Sequence, residues 1–253
     1  MATFLVEDYS FPLVSVTGPN EALSITGMYG TATHLNNGIF ITAAHSIKNA
    51  SEHEKFGLSF LTDLRDSATG IHNSQTHFVS DYELFEDYDL GLIRLSEPNT
   101  RALSYKWDAS PGLMFENVMA IGFPHAHDAP NKFYATRGLK GHIVCQNIFF
   151  RFKSNPKIYE LSFHCPRGIS GAALADTIDI PKVKGYIIGN EANEIMVFSE
   201  REIDEASGEK TVFEKYETTK FGIAIQVSNI LPLSSRILGG TFEEYLKREG
   251  LLE

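Results

Sequence analysis

Short apolar runs recur along the first half of the chain, each closed by turn-forming residues. Residues 12–17 read as a strand, and residues 25–34 as a second. The turn Asn36-Asn37-Gly38 follows, and residues 39–42 form the next apolar run. Asn-Gly between two apolar runs is a strong hairpin signal, because both turn positions need a positive φ. Runs at 56–61, 76–80 and 90–95 continue the pattern. Turn clusters at Glu97-Pro98-Asn99-Thr100 and Ser110-Pro111-Gly112 mark a link between two units.

The second half repeats the scheme, with strands expected at 118–122, 139–144, 159–163, 172–174, 183–188 and 221–227. Only the C-terminus reads as helical. Thr241 with Glu244 three residues later forms a capping box ahead of Tyr245 and Leu246. So many strands and so few helical periods predict an all-β chain of two six-stranded antiparallel β-barrels with a short C-terminal helix. The expected division is an N-terminal barrel over 1–108, a C-terminal barrel over 109–235, and the helix in 236–253. Apolar β-formers at 196–198 and 211–213 flank the acidic stretch 200–209, so residues 194–220 read as a hairpin inserted into the second barrel.

The 253 residues carry 32 acidic and 22 basic side chains, a net charge of −10. Phosphate binding wants a surplus of Lys and Arg, so no nucleic-acid partner is expected. No apolar run reaches the length of a membrane-spanning helix, and no membrane partner is expected. There are two cysteines, Cys145 and Cys165. That small number, with no basic or long apolar start at Met1 to Asp8, suits a cytoplasmic protein without a signal peptide.

Three segments carry chemistry: Thr42-Ala43-Ala44-His45, Asp89-Leu90-Gly91-Leu92 and Gly168-Ile169-Ser170-Gly171. A serine hydroxyl needs a base within hydrogen-bond reach to act as a nucleophile. Imidazole suits that task near neutral pH, and a carboxylate fixes its tautomer and stabilises the imidazolium. The developing oxyanion wants two backbone N–H groups, which Gly168 and Ser170 can supply around a glycine-permitted turn. His45 as base, Asp89 as orienting acid and Ser170 as nucleophile therefore form the expected triad. Each segment alone is weak, since Gly-x-Ser-Gly is more often a turn and a lone histidine more often structural. Their combination, each against an apolar strand, is specific.

These residues resemble the chymotrypsin/trypsin-like serine peptidases, closest to the bacterial HtrA-type branch. Gly30-Thr31 with Ile39-Phe40-Ile41-Thr42-Ala43-Ala44-His45 looks like the family's first-barrel signature, and Asp89-Leu90-Gly91-Leu92-Ile93 like its acid-bearing strand. Val118 to Pro124 and Phe221 to Ile225 resemble second-barrel strands of the HtrA-type branch. The resemblance implies a double barrel with the site in the cleft, the same triad, and Gly168 with Ser170 as oxyanion donors. It also implies a specificity pocket walled by Ile187, Ile188, Gly189 and Asn190, with His164 near its floor. Ile169 stands where secreted members carry the Asp that switches their zymogens. Gly171-Ala172-Ala173 replaces the usual Gly-Gly-Pro without removing a catalytic group.

The expected function is serine endopeptidase action on a protein or peptide substrate through an acyl-enzyme, with no cofactor and no metal. Regulation by a protein partner is a companion expectation, because no zymogen switch is visible. The alternative is a proteolytically inactive binding module on a trypsin-like fold. Asp81, Glu83, Glu86 and Asp87 read as a solvated loop before Asp89. Cys165 is a rival nucleophile without flanking glycines. His125, His127 and Asp128 read as exposed loop residues more readily than as metal ligands.

Overall fold

The computed structural model describes residues 9–19, 23–61, 74–97, 102–124, 136–177, 182–203 and 210–253. His125, His127 and Asp128 lie outside these, as does the tip of the acidic hairpin.

Six strands close the first barrel: β1 (Ser10–Thr17), β2 (Ser24–Asn36), β3 (Ile39–Ala43), β4 (Phe56–Leu61), β5 (Ser74–Phe85) and β6 (Leu90–Leu95). They run in the order β1-β2-β3-β6-β5-β4, with β4 pairing back onto β1. The turn between β2 and β3 has Asn37 at φ 51° and Gly38 at φ 71°. Both central residues are thus left-handed, as a tight hairpin demands. The core of this barrel holds Leu13, Phe40, Ile47, Leu58, Phe60 and Ile93.

The second barrel has β8 (Asn117–Gly122), β9 (Arg137–Ile148), β10 (Lys157–Leu161), β11 (Ala173–Asp176), β12 (Lys182–Ile203) and β13 (Lys210–Gln226). Their order is β11-β8-β9-β10-β13-β12, and β11 pairs with β12 to close the ring. A short strand, β7 (Lys106–Trp107), joins β12 in parallel. Val118, Ile143, Leu161, Ile169, Leu174 and Ile187 fill this barrel.

A third apolar cluster joins the barrels through the C-terminal segment. It packs Leu35, Ile41 and Leu92 of the first barrel, Trp107, Tyr186 and Ile225 of the second, and Phe242, Tyr245 and Leu246 of the C-terminus. This explains why Leu90 to Ile93 is an unbroken buried run. Ile93 faces the barrel interior while Leu90 and Leu92 face the C-terminal segment.

The structure departs from the sequence reading in three places. The first barrel contains a helix, α1 (Ala44–Ser51), where only strands and turns were expected. The C-terminal region is not one helix over 236–253. It is a turn of helix, α2 (Val227–Ile230), a small ladder of β14 (Ser234–Ser235) and β15 (Gly240–Thr241), and then α3 (Phe242–Arg248). Helix α3 does start at the Thr241–Glu244 capping box, with Gly250 beyond its end at φ 66°. Finally, Asp81 and Glu83 belong to β5 rather than to a loop. Asp81 accepts from both terminal nitrogens of the Arg236 guanidinium at 2.6 and 2.9 Å, and Glu83 accepts from Ser235 Oγ at 2.7 Å. Their partners lie some 150 residues away, so nothing local in the sequence shows that these carboxylates anchor the C-terminal segment.

Candidate active site

His45 is the second residue of α1, directly after β3. The helix begins without a capping side chain of its own, at Ala43. Its first N–H groups need acceptors, and Asp89 supplies them. Ala44 N donates to the Asp89 carbonyl at 2.9 Å, and His45 N donates to Asp89 Oδ1 at 2.9 Å. The other carboxylate oxygen, Oδ2, lies 2.7 Å from His45 Nδ1. One residue therefore caps the helix and sets the ring, leaving Nε2 as the nitrogen available for proton transfer. An aspartate at a helix N-terminus is also favoured by the helix dipole.

Asp89 takes this position because the chain turns sharply before β6. A 3-10 turn at Glu86–Tyr88 ends at Asp89, whose φ of 45° is left-handed, a conformation Asp tolerates better than most residues. The Tyr88 carbonyl accepts from Tyr186 Oη at 2.5 Å. Tyr186 is wholly buried; burial first, and then the charge of Asp89, pushes its phenol well above the ordinary range. It therefore stays protonated and pins the turn. On the far side, a Cβ at Gly91 would stand 2.3 Å from Ile47 Cδ1, so any larger residue there forces the Ile47 side chain to shift where α1 lies on β6.

The loop of Ser170, the expected nucleophile, belongs to the second barrel but is held by the first. Thr31 of β2 donates its N–H to the Ser170 carbonyl at 2.8 Å and its hydroxyl to the Gly168 carbonyl at 2.8 Å. The same hydroxyl accepts from Phe123 N at 3.1 Å. Two residues on, Thr33 Oγ1 accepts from Ala173 N at 3.0 Å and donates to the Gly171 carbonyl at 3.3 Å. Thr31 and Thr33 share one strand face and are fully buried. Gly171 sits at φ 90°, and a Cβ there would come within 2.1 Å of the Thr31 carbonyl. Thr31 was quoted in the sequence only as part of a signature. Its clamping role, and that of Thr33, shows in sequence only as two hydroxyls on an otherwise apolar buried strand.

Backbone N–H groups alternate along this loop. Ile169 N donates to the Pro166 carbonyl at 3.2 Å and Gly171 N to the Ile187 carbonyl at 2.7 Å. Among the described residues, Gly168 N and Ser170 N have no acceptor. Gly168 reaches this arrangement with φ at 98°. These are the two donors expected for an oxyanion. Ser170 itself is largely buried, and its hydroxyl donates to the Ile188 carbonyl at 3.4 Å. Among the described hydrogen bonds there is none between Ser170 Oγ and His45.

The residues expected to wall a pocket have varied positions. Ile187 is fully buried in the second-barrel core, with its N–H and carbonyl bonded to Ala172 and Gly171. Ile188 offers its carbonyl to Ser170, and Gly189, at φ 147°, lies at a bulge in the β12–β13 ladder. Asn190 spans the main chain of Cys165, accepting from its N–H at 2.7 Å and donating to its carbonyl at 2.5 Å. It thereby ties the loop before Ser170 to β12. His164 is exposed on that loop. Cys145 and Cys165 are unpaired, and burial pushes the Cys165 thiol up to about 12, so it stays protonated and is a poor nucleophile. Among the described residues no cluster of His, Cys, Asp and Glu could hold a metal ion.

The fold is that of a chymotrypsin-like double barrel. The chain is similar to the Rv3671c protease of M. tuberculosis in its active form, with a TM-score of 0.53 and 11% sequence identity over 88% of this chain and 78% of that one. It is likewise similar to the inactive form of a serine-to-alanine variant of that protein, at a TM-score of 0.51 and 12% identity over 87% of this chain and 82% of that one. No protein-family model and no curated protein matches the chain.

Proposed function

We propose that this protein is a serine endopeptidase that cleaves peptide bonds through an acyl-enzyme. The observation that carries the reading is the Asp89 carboxylate, which holds the backbone and the ring of His45 at once, at 2.9 and 2.7 Å. A merely structural cap needs only the first contact. In the proposed cycle His45 Nε2 takes the Ser170 proton as Oγ attacks the substrate carbonyl. Asp89 stabilises the imidazolium, and the open N–H groups of Gly168 and Ser170 receive the oxyanion. His45 then returns the proton to the leaving amine, and water repeats the sequence on the acyl-enzyme.

The test is labelling by a fluorophosphonate. Ser170 of the full chain is expected to react, and both Ser170→Ala and His45→Ala to abolish the signal. Failure of the folded, unmodified protein to label would sink the reading.

The Ser170 hydroxyl favours a second layer to the proposal. It is engaged with the Ile188 carbonyl at 3.4 Å rather than with His45. The hydroxyl must leave this carbonyl before it can attack. A protein partner or bound substrate that frees the hydroxyl would act as the gate, which suits a peptidase whose chain lacks the zymogen aspartate at Ile169. Labelling that is slow in the isolated chain and faster with peptide present would match this. Equal rates would rule out the gate and leave the peptidase reading standing.

A further inference from the structure

Among the described residues eight large apolar side chains are exposed, and five of them stand at one end of the second barrel, where β9 ends and β8 and β10 begin. Leu113, Met114 and Phe115 form a turn ahead of β8 and are 70%, 59% and 75% exposed. Ile148 closes β9, and Phe150, 76% exposed, lies in the turn that leads to β10. Single apolar residues are normal on a surface, but a concentration of this kind marks an interaction site.

The first turn is braced from below, which keeps its side chains outward. Leu113 N donates to Glu116 Oε2 at 2.7 Å, and Glu116 N to the Leu113 carbonyl at 3.0 Å. Phe115 N donates to the Ile143 carbonyl at 2.8 Å, and Gly112 N to Tyr159 Oη at 2.8 Å. Gln146, two residues before Ile148, donates from Nε2 to the Gly112 carbonyl at 2.6 Å and so links this turn to the end of β9. Phe115 is held at φ 65°, a left-handed backbone that a bulky residue rarely adopts. The barrel thus maintains a strained backbone that presents an aromatic ring to solvent, which fits a functional constraint better than a packing one.

Charge at this end runs against that of the whole chain. From Arg137 to Tyr159 there is no Asp or Glu, while Arg137, Lys140, Arg151, Lys153 and Lys157 are all basic, in a chain of net charge −10. Lys157 is the register partner of Ile148, and Lys153 follows Phe150 by three residues; both are exposed. The neighbouring acids are engaged elsewhere. Glu116 accepts from Leu113 N and turns toward Lys184 Nζ at 3.8 Å, Glu191 pairs with Arg151 at 3.1 Å, and Glu160 accepts from Asn147 Nδ2 at 3.4 Å. Asp87 of the first barrel meets this turn through its carbonyl, which accepts from Ser154 Oγ.

We propose that this end of the second barrel docks on an anionic phospholipid bilayer, with Leu113, Met114, Phe115 and Phe150 in the interface and Lys153 and Lys157 against the headgroups. Apolar tips on two separate turns, with lysines beside them, need no matching groove when the partner is fluid, and the local excess of positive charge complements anionic headgroups. The expectation of no membrane partner rests on the lack of an apolar run long enough to span a bilayer, and among the described residues no helix is long and apolar enough to cross one. Lying on one surface needs no span. The inference is independent of the role of Ser170.

The experiment is co-sedimentation of the full chain with vesicles of phosphatidylcholine in which about one third of the lipid is phosphatidylserine. The chain is expected to bind these vesicles, to bind pure phosphatidylcholine at least about tenfold more weakly, and to be released by added salt. Phe115→Asn removes the ring and suits the left-handed backbone. It should unfold in urea no earlier than the parent yet bind vesicles less tightly, and adding Phe150→Ser should bring the loss to about tenfold or more. Lys153→Gln with Lys157→Gln should erase the preference for phosphatidylserine. The emission of a Met114→Trp variant should shift to the blue on vesicles, against a constant background from the buried Trp107. Equal binding by the Phe115→Asn, Phe150→Ser variant, equal binding to pure phosphatidylcholine, or an unshifted Met114→Trp emission would each overturn the inference. A chain that ignores vesicles but dimerises, with the dimer lost in that double variant, would assign the patch to a second copy and overturn it as well.

Discussion

The backbone N–H of Thr31 donates to the carbonyl of Ser170 at 2.8 Å, across the boundary between the two barrels. The candidate nucleophile is thus positioned by the barrel that also holds its proposed base, His45. Thr31 adds a hydroxyl that bonds Gly168 O and Phe123 N, at 2.8 and 3.1 Å. Thr31→Val keeps the volume and the N–H but removes both hydroxyl contacts, stranding a buried carbonyl and a buried amide. A loss of about 1–3 kcal/mol in urea unfolding is expected. The fluorophosphonate rate should fall by more than unfolding accounts for, because the Gly168 carbonyl is released to turn. A variant that loses stability but labels at the parental rate per folded molecule would show that the clamp does not position the loop.

Asp89 has two duties, and two variants separate them. Asp89→Asn removes the charge that fixes the tautomer of His45 and the anion at the start of α1. Labelling should drop by about 10⁴, the scale expected when the imidazole is held in the wrong tautomer. Stability should fall by roughly 0.3–1 kcal/mol from the helix terminus. His45→Ala should abolish labelling yet leave the cap contacts to Ala44 N and residue 45 N in place. Chemical denaturation of both decides the matter: the histidine variant must be the more stable of the two.

This double role also explains what the sequence could show. The hairpin at Asn37-Gly38, the capping box of Thr241 and Glu244, and the buried runs of β3 and β6 are coded by neighbouring residues, and their elements were legible. Helix α1 was not, because its cap is Asp89, 44 residues further along. The helix looks like a strand end followed by a turn until that carboxylate is in place. Asp81 and Glu83 look like loop residues in the sequence for the same reason, their partners being the distant Arg236 and Ser235. The residues of the proposed triad could be singled out because each sits against an apolar strand. Their support from Thr31, Thr33 and Asn190 could not, since a buried hydroxyl or amide announces no partner. Residues 194–220 read as an inserted hairpin; what the sequence does not show is that β12 and β13 pair without a break from Gly185↔Gln226 to Ile203↔Lys210, because backbone pairing continues through polar residues.

His34 gives the fold a pH dependence. It is buried in the first barrel, its ring tilted against that of Phe40 with centroids 4.7 Å apart, and burial lowers it from 6.5 to about 4, only partly opposed by a backbone hydrogen bond at Leu103. The native state therefore keeps His34 neutral where the unfolded chain is protonated. Between pH 6.5 and about 4 the unfolded state binds more protons, so stability falls as pH falls, by an amount on the order of 3 kcal/mol across the window. His77, also lowered by burial, acts in the same direction. Urea unfolding of the parent and His34→Leu from pH 7 to pH 4.5 should give a flatter slope in the variant. Parallel slopes would show that His34 does not carry the effect.

Lys184 provides the sharpest test of how the second barrel grips the segment that links the barrels. Its side chain is 8% exposed, and Nζ donates to Asp108 Oδ2 at 2.6 Å and Ser110 Oγ at 3.2 Å, with Glu116 Oε1 at 3.8 Å. Burial pulls the ammonium down, but the hydrogen bond and charge of Asp108 outweigh it, and the group ends above its ordinary value. The two partners are not equivalent, because Asp108 is the more exposed. Asp108→Ala strands a charge in the barrel wall and should cost about 3 kcal/mol or more. Lys184→Met leaves a carboxylate that water can reach and restores apolar packing, so it should cost clearly less. The double variant should recover most of the loss of Asp108→Ala, giving a coupling of well over 1 kcal/mol in a double-mutant cycle. Additive losses would mean that the two side chains meet without stabilising one another, and that the link is held by the backbone bonds of Asp108 and Trp107 to Val183 and Leu251 instead.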